Sequence, residues 1–341
     1  KETAARMHKA IAIIQFKIEG QRIKANPEFN LSNRLLLDKI NFEDGTIDIK
    51  GVTYPLKDTN LPTIDPKDPY KLTSEEQRVI ENLQASVLRS DKLHDHIKFM
   101  FSHGALYKVM NNMLMFHGCI PLDENGNFAT CTFDGQSYSG KALFDYLDSR
   151  VREEYFSPQN DVEDGTGGDI MWYLWLGAKS PLFGKDQMTT FERLFIEDKK
   201  THKEYTVGYL KEFGVDPQKG HILNGHVPVK IKDGESPIKG EGKLFVIDGG
   251  ISKAYQKKTG IAGYTFIYNS WIMALAEHKP YMPLQPDGTQ EFYAPRVFAV
   301  EELEKRIMVR DTDQAAGLNE QIEGLRDLIE AFRKGIIKEV Y

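Results

Sequence analysis

The sequence is poor in cysteine, with only Cys119 and Cys131 among 341 residues. A secreted chain of this length would more often carry several paired cysteines, so the count favours a reducing compartment. The two cysteines are close enough along the chain to pair, but we expect free thiols in a cytoplasmic protein.

Long apolar runs and targeting signals are also missing. No stretch of about 18 apolar residues occurs, so we expect no transmembrane helix and no membrane partner. The opening KETAARMHKA is charged, lacks the apolar core of a signal peptide and has no initiator methionine. We therefore expect the chain to be part of a longer polypeptide.

Basic runs and nucleotide-binding motifs are absent as well. The net charge is −6, from 44 basic and 50 acidic side chains, which argues against a nucleic-acid partner. The sequence contains no Gly-x-Ser-x-Gly, no P-loop and no dinucleotide fingerprint. A locally positive site for a phosphorylated small molecule is still compatible with this composition.

The patterns that are present predict an α/β protein. Thr73 and Glu76 form a capping box before an apolar-periodic segment. The three prolines of 59–71 predict an extended loop, and the polar, Gly-rich stretch 157–169 predicts a surface loop. Apolar periodicity predicts further helices at 4–20, 91–102 and 141–155.

Short apolar runs separated by turn residues predict strands. Asp44–Gly45 is a strong hairpin signal, and Asn111–Asn112 suits a tight turn between 106–110 and 113–116. The fully apolar run 113–116 predicts a strand buried on both faces. The segment 221–229 is a short apolar run broken by Gly225–His226, and 242–250 is expected to be a buried strand that ends in Asp248–Gly249–Gly250. Residues 265–268 and 271–276 are expected to be paired strands.

Three segments follow from this order of elements. Residues 1–104 are expected to form a helical and β-meander region, 105–300 a core with insertions, and 301–341 a C-terminal helical segment. In the last segment, 315–340 reads as one helix with apolar residues spaced by alternating fours and threes. This seam could pack within its own chain, or it could join subunits of a homo-oligomer.

Two histidines stand where buried strands end. His117 follows Met113–Phe116 and precedes a glycine, and His226 follows Gly225 after an apolar run. Functional groups of α/β sheets gather at the carboxyl ends of strands, and imidazole is a common metal ligand. The alternative is that each histidine is a hydrogen-bonded structural residue.

Four other residues are candidates for binding phosphate. Asp248 precedes a glycine pair that could turn backbone N–H groups towards an anion, or it could simply cap a tight turn. Lys185, Arg193 and Lys253 could each hold a phosphate, since Arg binds it bidentately and Lys as a point charge. A solvated surface position is the alternative for each of the three.

Long strings of the sequence resemble one known family. FHGCIPLDENGNF, SPLFGKDQMTTFERLFIEDK, NGHVPVK and GKLFVIDGGISKAYQKKTG are similar to class III fructose-1,6-bisphosphatase, of the calcineurin-like metallophosphoesterase superfamily. The resemblance extends over nearly the whole chain. It implies a sandwich of mixed β-sheets flanked by helices, with added helices and an amphipathic C-terminal helix.

The resemblance also implies a reaction. Fructose 1,6-bisphosphate would lose its 1-phosphate to metal-activated water, with two divalent metals, taken to be Mn²⁺. His117 and His226 match the fourth and fifth metal motifs of the superfamily, each completing the shell of one metal. The first three motifs are not in this sequence, which predicts that the chain is the C-terminal half and that a missing N-terminal half supplies them.

Two other functions fit the same residues. The chain could be a non-catalytic assembly or regulatory half, with its C-terminal helix joining subunits. It could also be a metallophosphoesterase that acts on another phosphate ester, because the two histidines do not set the substrate.

Overall fold

A computed structural model describes residues 2–157, 166–184, 201–250, 252–260, 263–279, 284–289 and 294–338. The chain divides into two compact units, each built from two separate stretches. Unit 1 comprises Lys1–Leu106 and Cys119–Phe191, and unit 2 comprises Tyr107–Gly118 and Glu192–Tyr341. In the part of the chain that is described, no helix is both long enough and apolar enough to cross a membrane.

Unit 1 combines helices with two small antiparallel sheets. Its helices are α1 (Glu2–Ala25), α2 (Ser74–Leu88), α3 (Asp91–His103), α4 (Gly140–Phe156) and α5 (Thr166–Leu176). One sheet has the order β1 (Ile40–Asn41), β2 (Thr46–Ile49), β3 (Val52–Pro55), and the other pairs β6 (Cys131–Phe133) with β7 (Gln136–Tyr138).

Three local features predicted for unit 1 are found in the structure. The Thr73 hydroxyl accepts from the Glu76 N–H, and the Glu76 carboxylate accepts from the Thr73 N–H, so the capping box starts α2. Gly45 and Gly51 have positive φ at the two turns of the β1–β2–β3 meander. Cys119 and Cys131 are free and buried, which confirms the prediction of unpaired thiols.

An aromatic core holds α4 and α5 against the β6–β7 hairpin. The ring of Phe29 lies 4.9 Å from that of Tyr173 and 5.9 Å from that of Phe133. Leu143 and Leu147 of α4 are fully buried in the same cluster. Contacts of this kind between aromatic rings add to the stabilisation from burial alone.

A buried ion pair joins α1 to the start of α2. Lys17 Nζ lies 2.7 Å from Glu76 Oε2, and the two side chains are 0% and 8% exposed. Lys17 also donates to the Thr63 carbonyl. Burial alone would raise the pKa of Glu76, but the hydrogen bonds from Lys17 and the Thr73 N–H outweigh it, and the pKa lies below its ordinary value.

Unit 2 is organised around a mixed five-stranded sheet of order β4-β5-β8-β10-β9. Its strands are β4 (Tyr107–Met110), β5 (Met113–Phe116), β8 (His221–Asn224), β9 (Ile238–Lys239) and β10 (Leu244–Val246). The antiparallel sheet of unit 2 contains β11 (Gly263–Tyr268), β12 (Ile272–His278) and β13 (Arg296–Glu302). Its helices are α6 (Thr201–Glu212), α7 (Lys253–Thr259) and α8 (Gln314–Arg333).

Most predicted strands of unit 2 are found, including the tight turn between β4 and β5. Asn111 and Asn112 have φ of 50° and 60°, the left-handed values that a two-residue hairpin turn requires. The apolar strand β5 is largely buried, as its composition predicts. The architecture of mixed sheets flanked by helices is therefore confirmed.

Three expectations need correction. Residues 166–169 of the predicted loop 157–169 form the first turn of α5, which continues into the apolar MWYLWL, and residues 158–165 lie outside the described residues. The C-terminal helix ends at Arg333, and Gly335, with φ of 69°, follows it. No residue of that helix is buried, so the described part of the chain does not cover its apolar seam. The three predicted segments stay a prediction.

Replacing Lys17 by methionine tests the buried ion pair. The change leaves the Glu76 carboxylate buried without its cation, and we expect Lys17→Met to lose about 3–5 kcal/mol of unfolding free energy in urea. Adding Glu76→Leu should recover much of that loss. Arg6→Met on the same helix breaks an exposed pair, and its cost should be a small fraction of the first. Equal losses of unfolding free energy in Lys17→Met and Arg6→Met would show that burial of the Lys17–Glu76 pair has no special effect on stability.

The lowered pKa of Glu76 predicts acid sensitivity. A carboxyl whose pKa is lower in the folded state gives stability that is complete above its ordinary pKa of 4.5. This stability is lost as the pH falls through the folded value. The unfolding free energy should therefore drop as the pH falls below the ordinary value of 4.5, and less steeply in Glu76→Gln. Parallel acid slopes for the two proteins would count against this role.

Candidate metal centre

The register of three parallel strands brings the candidate residues to one edge. β5 pairs with β8 in parallel, with Met113 opposite His221, and β8 pairs with β10 in parallel. All three strands therefore run in the same direction and end at the same side of the sheet. His117 follows β5, His226 follows β8, and Asp248 follows β10 at this edge.

The structure brings the two predicted histidines into contact. His117 Nε2 lies 2.9 Å from His226 Nδ1, and the ring planes meet at 77°. At this distance one neutral imidazole can donate to the other, with the roles set by the tautomers. Residues 109 positions apart in the sequence thus form one cluster.

The backbone holds this pair in place. The Gly225 N–H donates to the His117 carbonyl at 2.8 Å, which ties the end of β8 to the end of β5. His226 itself has φ of 69°, in the left-handed region that non-glycine residues rarely occupy. The Val227 N–H donates back to the Gly225 carbonyl, closing a tight turn around His226. Strained backbone of this kind concentrates at functional sites.

Sequence reasoning missed Asn224, the last residue of β8. Its side chain is buried, and its amide group donates to the Gly118 carbonyl at 3.3 Å. Within the described residues, the Asn224 Oδ1 atom is buried without a hydrogen-bond partner. In the sequence, Asn224 is a polar amide directly after Ile222 and Leu223, and this position at a strand end could have identified it. Asn224 positions the turn that carries His117.

Asp248 lies beside the histidine pair and also caps its own turn. Its Oδ1 accepts from the Gly250 N–H at 2.7 Å, as the capping alternative predicts. Gly250 has φ of 71°, and a Cβ there would come within 2.8 Å of Tyr255, so the turn requires glycine. The negative charge of the Asp248 carboxylate favours the protonated form of both imidazoles and so acts to raise the pKa of His117 and of His226.

Both histidines are kept neutral near pH 7. Loss of solvent lowers the pKa of His117, the nearby His226 lowers it further, and Asp248 partly offsets the two effects. Loss of solvent likewise lowers the pKa of His226, against the pull of Asp248. A neutral imidazole has a lone pair available, which is the form that ligates a metal.

The donor set fits part of a divalent metal site. The two nitrogens face each other at 2.9 Å, so His117 and His226 would be the residues that hold the ion. Two imidazoles with a nearby carboxylate charge suit Mn, Fe or Zn. Within the described ranges, however, no group of three or more His, Cys, Asp and Glu side chains is arranged to hold a metal.

The basic candidates are not brought to this edge by any described contact. Lys185 and Arg193 lie outside the described residues. Lys253 begins α7, five residues after Asp248 along the chain. Their assignment to a phosphate stays a prediction.

These features define an α/β protein with a histidine pair, suited to a divalent metal, at the carboxyl edge of a mixed sheet. The chain belongs to the Firmicute fructose-1,6-bisphosphatase family, whose model matches residues 1–334. This confirms the family named from the sequence. It does not test the placement in the calcineurin-like superfamily, and no solved structure matches the chain.

Three curated relatives carry the name fructose-1,6-bisphosphatase class 3. The protein of Clostridium tetani is 53% identical over 354 residues, covering 99% of this chain and 53% of the relative. That of Alkaliphilus metalliredigens is 51% identical, covering 98% and 53%, and that of Clostridioides difficile 51%, covering 100% and 54%. The chain thus spans about half the length of these relatives.

The left-handed backbone at His226 gives a stability prediction. Glycine normally destabilises relative to alanine, but at φ of 69° an alanine carries the steric cost instead. We expect His226→Gly to be as stable as His226→Ala or more stable, by up to about 1 kcal/mol in urea unfolding.

Lys230 supplies the matched control, because it is exposed and has an ordinary φ of −96°. There the glycine variant should be less stable than the alanine variant by about 0.5–1 kcal/mol. The same order at both positions would show that the turn at His226 stores no strain.

Proposed function

We propose that this chain supplies part of the metal site of an enzyme that hydrolyses fructose 1,6-bisphosphate to fructose 6-phosphate and phosphate, a step of gluconeogenesis in the cytoplasm. The contact between His117 and His226 carries the proposal. The names of the relatives, at 51–53% identity, support the substrate.

The residues of this chain have distinct tasks in that reaction. His117 and His226 would hold a divalent ion through neutral nitrogens, and the nearby Asp248 charge would favour a cation over a free anion. Asn224, through the Gly118 carbonyl, keeps the His117 turn against β8. When bound, a divalent ion, with Mn²⁺ as our choice, supplies charge for the phosphate oxygens and lowers the pKa of water.

The geometry favours both histidines on one ion, rather than one on each of two ions as the sequence suggests. Their nitrogens face each other at 2.9 Å, so one ion would contact both imidazoles. The remaining ligands of a two-metal site are then expected from the part of the relatives' length that this chain does not match.

Replacing each histidine tests the shared ion. With both nitrogens on one centre, His117→Ala and His226→Ala should each weaken Mn²⁺ binding at least tenfold, and the double variant should lose little more. Calorimetric titration of Mn²⁺ into the polypeptide that carries this chain measures the affinity directly. Additive losses would instead place the histidines on two separate ions.

His96→Ala is the matched control, because this histidine is exposed on α3 and takes no part in the site. It should bind Mn²⁺ like the wild type. Unchanged Mn²⁺ binding in both His117→Ala and His226→Ala would overturn the metal assignment, whatever the activity.

Substrate choice is tested separately with the same polypeptide at its natural length. Phosphate release with Mn²⁺ should be faster for fructose 1,6-bisphosphate than for fructose 6-phosphate, a nucleoside monophosphate or a phosphopeptide. A preference for one of the other esters would keep the hydrolase and change its substrate. If Mn²⁺ binds but none of the esters is hydrolysed, the chain serves assembly or regulation instead.

A further inference from the structure

Helix α8 presents an apolar stripe that the described chain does not bury. Its large apolar side chains are between 41% and 59% exposed. They are Leu318, Ile322, Leu325, Leu328, Ile329 and Phe332. Two hydrogen bonds tie the base of the helix to the β4–β5 turn. The Asn111 N–H donates to the Asp313 carboxylate at 2.6 Å, and the Asp313 N–H donates to Asn111 Oδ1 at 3.0 Å.

A helix of this composition needs a packing partner. Isolated helices of this length are marginal in water, and most helix stability in proteins comes from burying one face. Gly317 and Gly324 weaken α8 further, by about 1 kcal/mol each relative to alanine. A Cβ at either glycine would meet nothing within 4 Å, so no close approach within the chain explains them.

The order of residues in the stripe identifies the partner. Counting in heptads places Ile322 and Ile329 at a positions, and Leu318, Leu325 and Phe332 at d positions. Isoleucine at a with leucine at d is the pattern that favours two parallel helices over three or four.

The charges beside the seam fit the same arrangement. Arg326 and Arg333 both occupy e positions, and Gln321 and Leu328 occupy g positions. In a parallel pair each arginine faces a g residue of the other helix, and neither g residue is charged. In an antiparallel pair e positions face each other, so arginine would lie against arginine. The charge pattern therefore selects the parallel orientation.

We propose that α8 pairs with α8 of a second copy of this chain as a parallel two-stranded coiled coil. The contact face is about 30 Å long and about 10 Å wide, which is smaller than the roughly 800 Å² per partner of a standard interface. The dimer is therefore weak, with dissociation in the micromolar range or above. This inference is independent of the phosphatase proposal.

Sedimentation equilibrium of the polypeptide that carries this chain tests the pairing from roughly 1 µM to 300 µM, a range that covers weak association. The average mass of the wild type should rise from one copy towards two. Leu325→Glu or Ile329→Glu buries a charge in the seam and should hold the protein at one copy. A wild type that stays at one copy throughout would overturn the proposal.

Gly324→Glu is the matched control, because it adds the same charge next to Leu325 but at a c position that faces solvent. It should associate like the wild type. Circular dichroism of each variant confirms that unit 2 is folded. Association that survives both Leu325→Glu and Ile329→Glu would show that another surface joins the copies.

Orientation is tested by cross-linking. Ala315 lies one heptad before Ile322, so Ala315→Cys places two thiols side by side in a parallel pair. In an antiparallel pair the thiols would be about 30 Å apart. Mild oxidation should give a disulfide-linked dimer that the wild type, with both native thiols buried, does not give. Association without this cross-link would overturn the parallel arrangement.

Discussion

The parallel pairing of β5 with β8 is the constraint on which the candidate site depends. With Met113 opposite His221, the two strands end level, and the residues that follow them meet at one edge. A shift of one residue would turn every β8 side chain to the opposite face. The bond from the Gly225 N–H to the His117 carbonyl fixes that register at the point where the histidines begin.

Two pairs of ionisable side chains differ in their charge state because their surroundings differ. In unit 1, Lys17 and Glu76 are both charged and buried, and each compensates the other. In unit 2, His117 and His226 lose solvent without a full counter-charge, so they favour the neutral form. The first arrangement joins two helices, whereas the second holds two neutral imidazoles in contact.

Local signals in the sequence were enough for most of the fold. The capping box at Thr73, the Asn111–Asn112 turn and the apolar run of β5 each depend on neighbouring residues, and each is found where the sequence places it. The contact between His117 and His226 depends on strand order, which local patterns do not encode. The family resemblance suggested both histidines as metal ligands, each on its own ion, and did not predict that they touch.

The two imidazole nitrogens face each other before any cation is present. The left-handed turn at His226 and the Asn224 bond to Gly118 already fix the directions of both side chains. Any ligand that contacts both imidazoles would therefore cost little side-chain entropy, because that freedom was given up when unit 2 folded. The positions of both imidazoles are thus set by the fold of unit 2 itself.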